Sequence, residues 1–290
     1  MDNNIYKNEK LSKYNWFNLG GPAEIFFKPN TELELKQFLK NTINKKKKIH
    51  ILGAGSNTLF RDLGFDGTII KLGKNFSYTK LLENNKIEDG AATLDRQVSE
   101  FATQNSLAGF EFLSCIPGNI GGAITMNNGC YGFDISQTFF SLKAMDLNGE
   151  LRLINKDQIK FFYRGSNLDK DLIILSVILQ GRLSDKEHIE RKKVDLVNEK
   201  RKSQPNRQKT CGSTFKNPID HKAWKLIKSS DCSHLKIGGA SMSVQHCNFF
   251  LNDGKATSSD IENLIEEVKK KVFKKTGINL ELEIKIVGRK

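Results

Sequence analysis

The chain has 290 residues and a formal net charge of +13, with 46 lysines and arginines against 33 acidic residues. This length can supply two or three hydrophobic cores, and its longest apolar run, residues 172–179, is too short to cross a bilayer. The five cysteines are odd in number and lack C-x-x-C spacing, so they indicate neither a disulfide framework nor a zinc site. The polar amino terminus and these features predict an unprocessed, soluble protein of a reducing cytoplasm.

The positive charge raises the alternative of a basic nucleic-acid-binding module. The lysines are spread along the chain, and runs such as Lys45–Lys48 and Lys269–Lys271 fit a helix end or the polar face of a helix. No aromatic residues alternate with the basic ones to provide a stacking platform for bases. We therefore expect no nucleic-acid partner, although a basic cleft would attract a substrate that carries phosphates.

Short helices and strands alternate along the first two thirds of the chain. Apolar spacing predicts two helices, marked by Leu33, Leu35, Phe38 and Leu39 and by Leu94, Val98, Phe101 and Ala102. Apolar runs predict strands at residues 49–52, 68–72 and 171–180. Residues 185–203 are highly charged and predict a helix between two domains. The pattern indicates an α+β or an α/β fold, and we place the domain boundary between residues 183 and 184.

The carboxy-terminal part predicts one long helix followed by a strand. Thr257 to Ser259 begin the helix, acidic residues occupy its first turn, and Gly277 ends it. The apolar face consists of Ile261, Leu264, Ile265, Val268 and Val272. The final LELEIKIV segment, residues 280–287, alternates apolar and charged side chains as a strand does, and this pattern directs Glu283 away from the core.

A first glycine-rich loop, Gly53-Ala54-Gly55-Ser56-Asn57, follows the strand predicted at residues 49–52. Its small residues allow backbone N–H groups to approach an anion, and Ser56 and Asn57 add further donors. The loop differs from a Rossmann fingerprint, because Thr58 stands where a third small residue is needed and the following sequence does not begin a helix. A tight turn is the alternative interpretation.

A second glycine-rich stretch spans residues 111–132 and holds Gly118, Gly121, Gly122, Gly129 and Gly132. Such glycine density costs about 0.5 to 1 kcal/mol per residue in regular structure, which indicates that a ligand or another backbone approaches closely. Pro117 restricts the backbone before these glycines. Two loops of this kind suggest a diphosphate held from both sides, and two solvent-exposed turns are the alternative.

A series of motifs runs along nearly the whole chain: NLGGPAEIFFKP (18–29), GAGSN with RDLGFDG (53–67), GFEFLSCIPGNIGGAITMNNGCYG (109–132), FFYRGSNL (161–168), CGSTFKNP (211–218), LKIGGA (235–240), HCNFFLN (246–252) and LELEIKIVG (280–288). In kind and in order these motifs resemble one family of flavoenzymes, the UDP-N-acetylenolpyruvoylglucosamine reductases of peptidoglycan synthesis (the MurB family). The resemblance implies an FAD-binding region of the vanillyl-alcohol-oxidase (PCMH) type with two subdomains at residues 1–183, and an α+β substrate-binding domain at residues 184–290.

The resemblance also implies the reaction. NADPH would reduce FAD, and the hydride would then pass to the enolpyruvyl group of the UDP-sugar to give UDP-N-acetylmuramate. Ser213 matches the family's proton donor, Arg164 the arginine that stabilises the enol-carboxylate, and Glu283 the carboxylate of the catalytic set. The flavin-binding positions it implies are Gly53, Ala54, Gly55, Ser56, Asn57, Ser114, Pro117, Gly118, Asn119, Gly121, Gly122 and Ala123. The substrate-binding positions it implies are Tyr163 and Asn217. Arg201 and Lys216 are further substrate-binding candidates, as cations that suit a phosphate, and no metal is expected.

Each catalytic assignment has a structural alternative. Ser213 beside Gly212 fits a turn residue, Arg164 fits one half of a surface ion pair, and Glu283 fits an exposed strand residue. No histidine or cysteine is placed for a covalent flavin bond, so FAD is expected to be bound non-covalently. Separately, the protein is expected to be a monomer. An FAD-dependent oxidase on the same fold is the competing enzyme class. The sequence departs from the family pattern at Asn18, Cys115, Ser241 and Gln245.

Overall fold

The computed structural model describes residues 4–41 and 48–290. Lys45 to Lys47 of the first predicted basic run lie outside the described residues. The α-helices of the described part are α1 Glu32–Lys40, α2 Asp95–Gln104, α3 Ile120–Met126, α4 Lys186–Ser203, α5 Ala223–Ser229 and α6 Ser258–Thr276. Short 3-10 helices occur at Leu11–Tyr14, Lys74–Phe76, Glu111–Cys115, Ile135–Gln137 and Lys156–Gln158.

Most strands are short. Those of the described part are β1 Ile5–Lys10, β2 Pro22–Phe27, β3 Lys48–Ile51, β4 Thr58–Phe60, β5 Phe65–Ile70, β6 Thr79–Leu82, β7 Lys86–Gly90, β8 Leu107–Ala108, β9 Gly129–Cys130, β10 Phe133–Asp134, β11 Phe139–Met145, β12 Leu151–Asn155, β13 Phe161–Phe162, β14 Gly165–Ser166, β15 Ile173–Gln180, β16 Arg182–Leu183, β17 Lys236–Ile237, β18 Ala240–Met242, β19 Phe250–Asn252 and β20 Lys285–Val287. Helices and strands are mixed along the chain, as the predicted α+β fold requires.

The chain forms two compact units. Of the described residues, unit 1 comprises 4–5, 26–41, 48–54 and 68–200, and unit 2 comprises 6–25, 55–67 and 201–290. Two consecutive segments were predicted, whereas each compact unit combines separate stretches of sequence. The assignment of residues 1–183 to the flavin and 184–290 to the substrate concerns binding, and it stays a prediction.

Unit 1 is built on an antiparallel sheet of order β12-β11-β15-β7-β6. The predicted strand at residues 171–180 is confirmed as β15, whose Ile173, Leu175, Val177 and Leu179 are all almost completely buried. Ile174 and Ser176 on this strand are also buried and Ile178 is half-buried, whereas Gln180 at its end is exposed. One face contributes to a core with Val98 and Ala102 of α2.

The two predicted helices of unit 1 are confirmed, but one residue predicted for each apolar face does not belong to it. In α1, Leu35 and Leu39 are buried, but Leu33 is 64% exposed, so its assignment to the buried face was wrong. Leu35 and Leu39 are four residues apart and share one face, whereas Leu33 precedes Leu35 by two residues and points elsewhere. In α2, Leu94 is the N-cap residue rather than part of the helix.

Unit 2 contains the predicted long helix, α6. The Thr257 side chain accepts a hydrogen bond from the Asp260 N–H, the Asp260 side chain accepts one from the Thr257 N–H, and Gly277 ends the helix with φ of 72°. The five predicted apolar residues of α6 are fully buried in one core. A sheet of order β17-β18-β19 packs with α6, and β20 pairs in parallel with β4.

The predicted strand at residues 280–287 was only partly right. The regular strand is limited to β20, and the chain bends at Glu283 and Ile284. Both of their N–H groups point at the carbonyl oxygen of Thr214, at 2.9 and 3.5 Å. This shared acceptor interrupts the ladder, so the strict alternation of faces does not continue through the segment. Glu283 is nevertheless partly exposed, as the pattern predicted.

Candidate active site

The first glycine loop connects β3 to β4, so a strand follows it and not a helix. This confirms that the loop is not a Rossmann fingerprint. The N–H groups of Gly53, Ala54, Gly55, Ser56 and Asn57 donate to no protein acceptor in the described part of the chain. Because buried or half-buried backbone donors are almost always paired in a native protein, five consecutive free N–H groups indicate an acceptor that is not protein.

Gly55 fixes the shape of this loop. Its φ is 71°, and a Cβ at this position would collide with the carbonyl oxygen of Tyr14. Its own carbonyl oxygen accepts a hydrogen bond from the Trp16 N–H at 3.1 Å and a weaker one from the Cys211 thiol at 3.7 Å. A larger residue would therefore displace the loop, and glycine is required here for both conformation and space.

The second glycine stretch forms a 3-10 helix, a short loop and then α3. Asn119 is the N-cap of α3, and its side chain accepts a hydrogen bond from the Gly122 N–H at 3.2 Å. The amides of Ile120 to Ala123 are all bonded to protein acceptors, which are the carbonyls of Thr93, Ala91 and Asn119 and the side chain of Asn119. The N–H groups of Gly118 and Asn119 have no such acceptor among the described residues.

The two loops meet within unit 1. A Cβ on Gly53 would lie 2.6 Å from the side-chain oxygen of Asn119. A Cβ on Gly118 would lie 2.6 Å from a carboxyl oxygen of the buried Asp95. Glycine at position 53 therefore lets the first loop approach the Asn119 side chain, and glycine at position 118 lets the second loop approach Asp95 of α2. This packing explains part of the glycine density, and the remaining free amides explain the rest.

A cation lies at the same place. The Lys71 ammonium donates a hydrogen bond to the Gly53 carbonyl oxygen. Burial, with a smaller contribution from the charge of Lys28, lowers the pKa of Lys71 to about 8. The side chain therefore still carries most of its positive charge at neutral pH. Free amides beside a buried cation fit the diphosphate of a dinucleotide such as FAD.

The predicted residues Ser114, Pro117 and Ala123 lie on the second glycine stretch, Ser114 in its 3-10 helix, Pro117 in its loop and Ala123 in α3. The Ser114 hydroxyl donates to the Glu111 carbonyl at 2.6 Å, so it closes the 3-10 helix that precedes the loop. Pro117 is half-buried and Ala123 is buried in the core. Among the predicted flavin-binding residues, the structure thus leaves backbone amides available to a ligand. The side chains of Ser114 and Asn119 instead form hydrogen bonds within the second glycine stretch.

Tyr163 and Arg164 occupy the turn of the hairpin formed by β13 and β14. Arg164 has φ of 56°, a conformation that non-glycine residues adopt rarely and that is typical of functional sites. Its guanidinium carbon lies 5.0 Å from the centre of the Tyr163 ring, within cation–π distance. Asn127 supports this hairpin, because its side-chain amide donates to the Phe162 carbonyl at 3.1 Å.

Ser213 is partly exposed and lies in an extended segment of unit 2. It pairs as an isolated bridge with Phe249, and Gly212 before it has φ of 79° with open space where a Cβ would point. Asn248 anchors the segment on both sides of Thr214: its carbonyl accepts from the Thr214 N–H at 2.8 Å, and its side chain exchanges two hydrogen bonds with the Phe215 backbone. Sequence reasoning did not identify Asn248 or Asn127, although both lie in the quoted motifs.

Glu283 is brought next to this segment by the backbone. Its N–H donates to the Thr214 carbonyl at 2.9 Å, one residue after Ser213. Its carbonyl oxygen accepts from the Asn57 side chain at 3.0 Å, and the Lys285 N–H donates to the Asn57 carbonyl at 2.9 Å. Asn57 of the first glycine loop therefore holds the position of Glu283, a role the sequence did not predict.

The predicted substrate-binding residues of unit 2 lie on its surface. Asn217 is exposed, and its side-chain oxygen accepts from the Ala223 N–H at 3.0 Å, which caps α5. Lys216 forms an ion pair with Glu281 at 3.5 Å. Arg201 is exposed, and its carbonyl oxygen accepts from the Gln245 side chain at 3.1 Å. The structure gives Asn217 a structural contact in addition to any contact with substrate.

The described ranges contain no cluster of three or more metal-ligating side chains. No helix within residues 4–41 and 48–290 has the length and apolar character needed to span a membrane.

A glycine loop with free amides that leads into a strand, and a second glycine loop packed against it, define the class as a flavoprotein with a non-Rossmann dinucleotide site. The family model for an FAD-binding domain matches residues 23–155, and that for the C-terminal domain of UDP-N-acetylenolpyruvoylglucosamine reductase matches residues 204–287. The predicted fold class, with a flavin-binding region of the vanillyl-alcohol-oxidase type and an α+β carboxy-terminal region, is confirmed.

Whole-length relatives carry the same family name. The reductase of Pelagibacter ubique is 49% identical over 96% of this chain and 92% of its own length, and that of Rickettsia typhi is 42% identical over 98% of both chains. The crystal structure of the reductase from Thermus caldophilus superimposes with a TM-score of 0.85 at 29% identity, covering 98% of each chain. The chain therefore belongs to the UDP-N-acetylenolpyruvoylglucosamine reductase family.

Proposed function

We propose that Arg164, Ser213 and Glu283 carry out the catalytic chemistry of this family in the present chain. Family membership makes the chain an FAD-containing, NADPH-dependent oxidoreductase of peptidoglycan precursor synthesis. Its substrate is UDP-N-acetyl-3-O-(1-carboxyvinyl)-glucosamine, and its product is UDP-N-acetylmuramate. When bound, FAD would supply the hydride-transfer chemistry that couples oxidation of NADPH to reduction of the enolpyruvyl double bond.

The free amides of the two glycine loops hold the cofactor. Gly53 to Asn57 offer five N–H donors, and Gly118 with Asn119 offers two more. Lys71 adds a positive charge beside Gly53. We assign the diphosphate to these donors, because its oxygens accept many hydrogen bonds and need compensating positive charge. The other predicted positions, Ser114, Pro117, Gly121, Gly122 and Ala123, shape and support the second loop.

Arg164 stabilises the negative charge that develops on the substrate. Hydride addition to an α,β-unsaturated carboxylate increases the charge on the carboxylate oxygens, and a planar guanidinium can bind both of them. The left-handed backbone of Arg164 at a hairpin turn is strained, and such strain persists where surrounding contacts enforce it. The Asn127 hydrogen bond to Phe162 is one such contact.

Ser213 supplies the proton that completes the reduction. A serine hydroxyl is a weak acid in solution, so it needs a fixed orientation to donate effectively. The single observation that carries this proposal is the hydrogen bond from the Glu283 N–H to the Thr214 carbonyl, which brings two residues distant in sequence into adjacent backbone positions. Neither a turn role for Ser213 nor a surface role for Glu283 requires this pairing.

Arg201, Lys216, Asn217 and Tyr163 are proposed to bind the UDP-sugar. Arg201 and Lys216 are cations that suit the diphosphate, and Tyr163 is a half-exposed ring that can pack against the sugar nucleotide. We further propose that residues 184–290 bind the substrate, that the protein acts as a monomer, and that it works in the cytoplasm.

The test follows flavin absorbance in the purified protein. NADPH should bleach the yellow colour, and the enolpyruvyl sugar nucleotide should restore it much faster than oxygen alone. Acid precipitation should release all flavin into the supernatant, because no covalent bond is expected. Rapid oxygen-dependent reoxidation that substrate does not accelerate would identify an oxidase instead, and colour retained in the acid pellet would contradict non-covalent binding.

A further inference from the structure

The turn that carries Arg164 is tied to the end of α3 by one side chain. The Asn127 side-chain amide donates a hydrogen bond to the Phe162 carbonyl oxygen at 3.1 Å, across 35 residues of sequence. Phe162 immediately precedes the two-residue turn of Tyr163 and Arg164, and it pairs with Gly165 in the hairpin of β13 and β14. Asn127 is the C-cap residue of α3 and is almost completely buried. A buried contact therefore joins a helix end to this turn.

Asn127 suits this position through both its backbone and its carboxamide. Its backbone is left-handed, with φ of 43° and ψ of 57°, a conformation that asparagine tolerates better than most residues. Its side-chain oxygen accepts a hydrogen bond from the Ser136 N–H at 3.2 Å. Since an N–H can only donate and a carbonyl can only accept, these two partners fix which end of the carboxamide faces Phe162.

The helix α3 is short and firmly held. It has seven residues, and at about 1.5 Å per residue it is about 10 Å long. Three of its side chains are buried, and it packs against β14 and β15. The loop before it carries the N–H groups of Gly118 and Asn119, which have no protein acceptor among the residues that the structure describes. One helix therefore connects the loop assigned to the cofactor with the turn of Arg164.

We propose that Asn127 is a positioning residue for Arg164, and that through α3 it sets the place of the Arg164 turn relative to the cofactor loop. The inference rests on the roles proposed above for Arg164 and for the amides of Gly118 and Asn119. Neither the motif resemblance nor the family comparisons assign a role to Asn127. Asn127 touches neither substrate nor cofactor in this proposal, and it acts through the Phe162 carbonyl.

The turn needs such a support because its backbone is strained. Arg164 has φ of 56°, a conformation for which turns usually use glycine or asparagine. Strain of this kind persists only where surrounding contacts enforce it. The hairpin supplies one further contact, because a Cβ on Gly165 would collide with the Phe162 ring, which therefore covers this glycine. Phe162 is thus held at its ring by Gly165 and at its carbonyl oxygen by Asn127.

The position of the turn matters because a guanidinium acts through its geometry. It binds both oxygens of a carboxylate only when the two planar groups are aligned. A displacement of a catalytic group by about 1 Å can slow a reaction about 100-fold. Loss of the Asn127 contact should therefore slow the step in which charge develops on the substrate carboxylate. Binding of FAD and bleaching by NADPH do not involve Arg164 and should be unaffected.

Two substitutions separate the side chain of Asn127 from its backbone. Asn127→Gly keeps the left-handed C-cap, which glycine adopts without strain, and removes the carboxamide. Asn127→Asp keeps the acceptor for the Ser136 N–H and replaces the donor that faces Phe162 with an oxygen. Asn105→Asp is the matched control, because Asn105 is the C-cap of α2 and its side-chain amide donates to the Phe101 carbonyl at 2.8 Å.

Stopped-flow absorbance of the holoenzymes gives the first readout. In both Asn127 variants the limiting rate of flavin reoxidation at saturating enolpyruvyl substrate should fall about 10- to 100-fold. The rate of bleaching by NADPH, and the FAD affinity in a fluorescence titration, should stay close to those of the parent. All three values should stay close to parent in Asn105→Asp. If only the left-handed backbone of Asn127 mattered, Asn127→Gly would reoxidise at the parent rate.

A double variant tests whether Asn127 acts through Arg164. Arg164→Ala should itself slow reoxidation, and adding Asn127→Gly should produce little further slowing, because the group that Asn127 positions is already gone. Hydrogen exchange measured by mass spectrometry adds a readout that does not depend on activity. Backbone amides of residues 161–168 should exchange about two- to tenfold faster in Asn127→Gly than in the parent, since one hydrogen bond that holds the turn is lost.

The outcomes distinguish this inference from the proposed function. If Arg164→Ala reoxidises at the parent rate, the proposed role of Arg164 fails and the inference fails with it. If Arg164→Ala is slow but the Asn127 variants are as fast as the parent, only the inference fails. It also fails if the two single effects multiply in the double variant, because Asn127 then acts independently of Arg164. Circular dichroism shows which variants are folded, and either Asn127 variant alone is sufficient for the comparison.

Discussion

Asp89 allows a pH-dependent stability to be worked out from the structure. It lies on β7, is fully buried, and pairs with Val177 on one side and Thr79 on the other. One carboxyl oxygen accepts from the Thr79 hydroxyl at 2.7 Å, and the other has no partner within the described part of the chain. Burial is the main cause that raises the pKa of Asp89 from 3.8 to about 7; Thr79 opposes it and the charge of Glu88 adds to it.

The direction in which the free energy of unfolding changes with pH follows from proton binding in the folded and unfolded states. Between pH 3.8 and about 7 the folded protein keeps the Asp89 proton and the unfolded chain has lost it. The unfolded state is therefore favoured progressively as the pH rises through this window, and above about pH 7 the loss of stability is complete. At about 1.4 kcal/mol per pH unit, the loss amounts to about 4 kcal/mol.

Asp89→Asn removes this titration. The unpaired amide of the asparagine imposes a fixed cost of about 1 to 3 kcal/mol that does not depend on pH. The free energy of unfolding of the variant minus that of the parent should therefore increase by about 4 kcal/mol between pH 4 and pH 8. Burial, with a smaller contribution from the charge of Asp89, also raises the pKa of Asp95. Because Asp89→Asn removes that charge, the pKa of Asp95 falls in the variant, and this change acts in the same direction as the expected increase.

Urea unfolding followed by circular dichroism at several pH values measures the difference, with FAD at one concentration throughout. Asp157→Asn removes an exposed carboxylate and serves as the matched control, whose difference should stay flat. In Thr79→Val, the pH range over which Asp89 lowers stability should extend above pH 7, because the hydroxyl that lowers the pKa of Asp89 is lost. A difference between Asp89→Asn and parent that is constant within about 0.5 kcal/mol from pH 4 to pH 8 would refute the reasoning.

Two further substitutions test the loops and the helix start. Gly53→Ala should lower flavin affinity at least tenfold while the protein stays folded, because the new Cβ would lie 2.6 Å from the Asn119 side-chain oxygen. Unchanged affinity in a fluorescence titration would contradict the loop packing. Asp62→Ala should lower the free energy of unfolding by about 1 to 2 kcal/mol. The Asp62 carboxylate accepts hydrogen bonds from the Ser258 and Ser259 N–H groups at 2.8 and 2.9 Å, at the start of α6. A variant that unfolds at the parent's urea midpoint would contradict this contribution.

Elements fixed by local chemistry could be predicted from the sequence. The start and end of α6 follow from Thr257, Asp260 and Gly277, and each makes the expected contact or backbone turn. The first glycine loop was recognised as distinct from a Rossmann loop because the sequence after Asn57 lacks helix signals, and β4 follows it. These signals act within a few residues, so reading the sequence detects them.

Elements fixed by distant contacts could not be predicted. The strand at residues 280–287 is interrupted because the Thr214 carbonyl accepts from two successive amides, and no pattern within that segment reports Thr214. The use of Asn57 to hold Glu283 depends on the same long-range pairing.

The proposed role of Ser213 is the central claim, and stopped-flow absorbance of Ser213→Ala tests it most directly. NADPH should bleach the flavin band at a near-normal rate, since Ser213 acts only after hydride has left the cofactor. Reoxidation by the enolpyruvyl substrate should slow by at least about 100-fold, the lower range for general acid catalysis. Ser213→Cys should retain more activity, and Thr214→Val, at the buried neighbour, should leave both phases close to parent. Loss of bleaching by NADPH in Ser213→Ala, or reoxidation as fast as in the parent, would show that Ser213 is a structural turn residue.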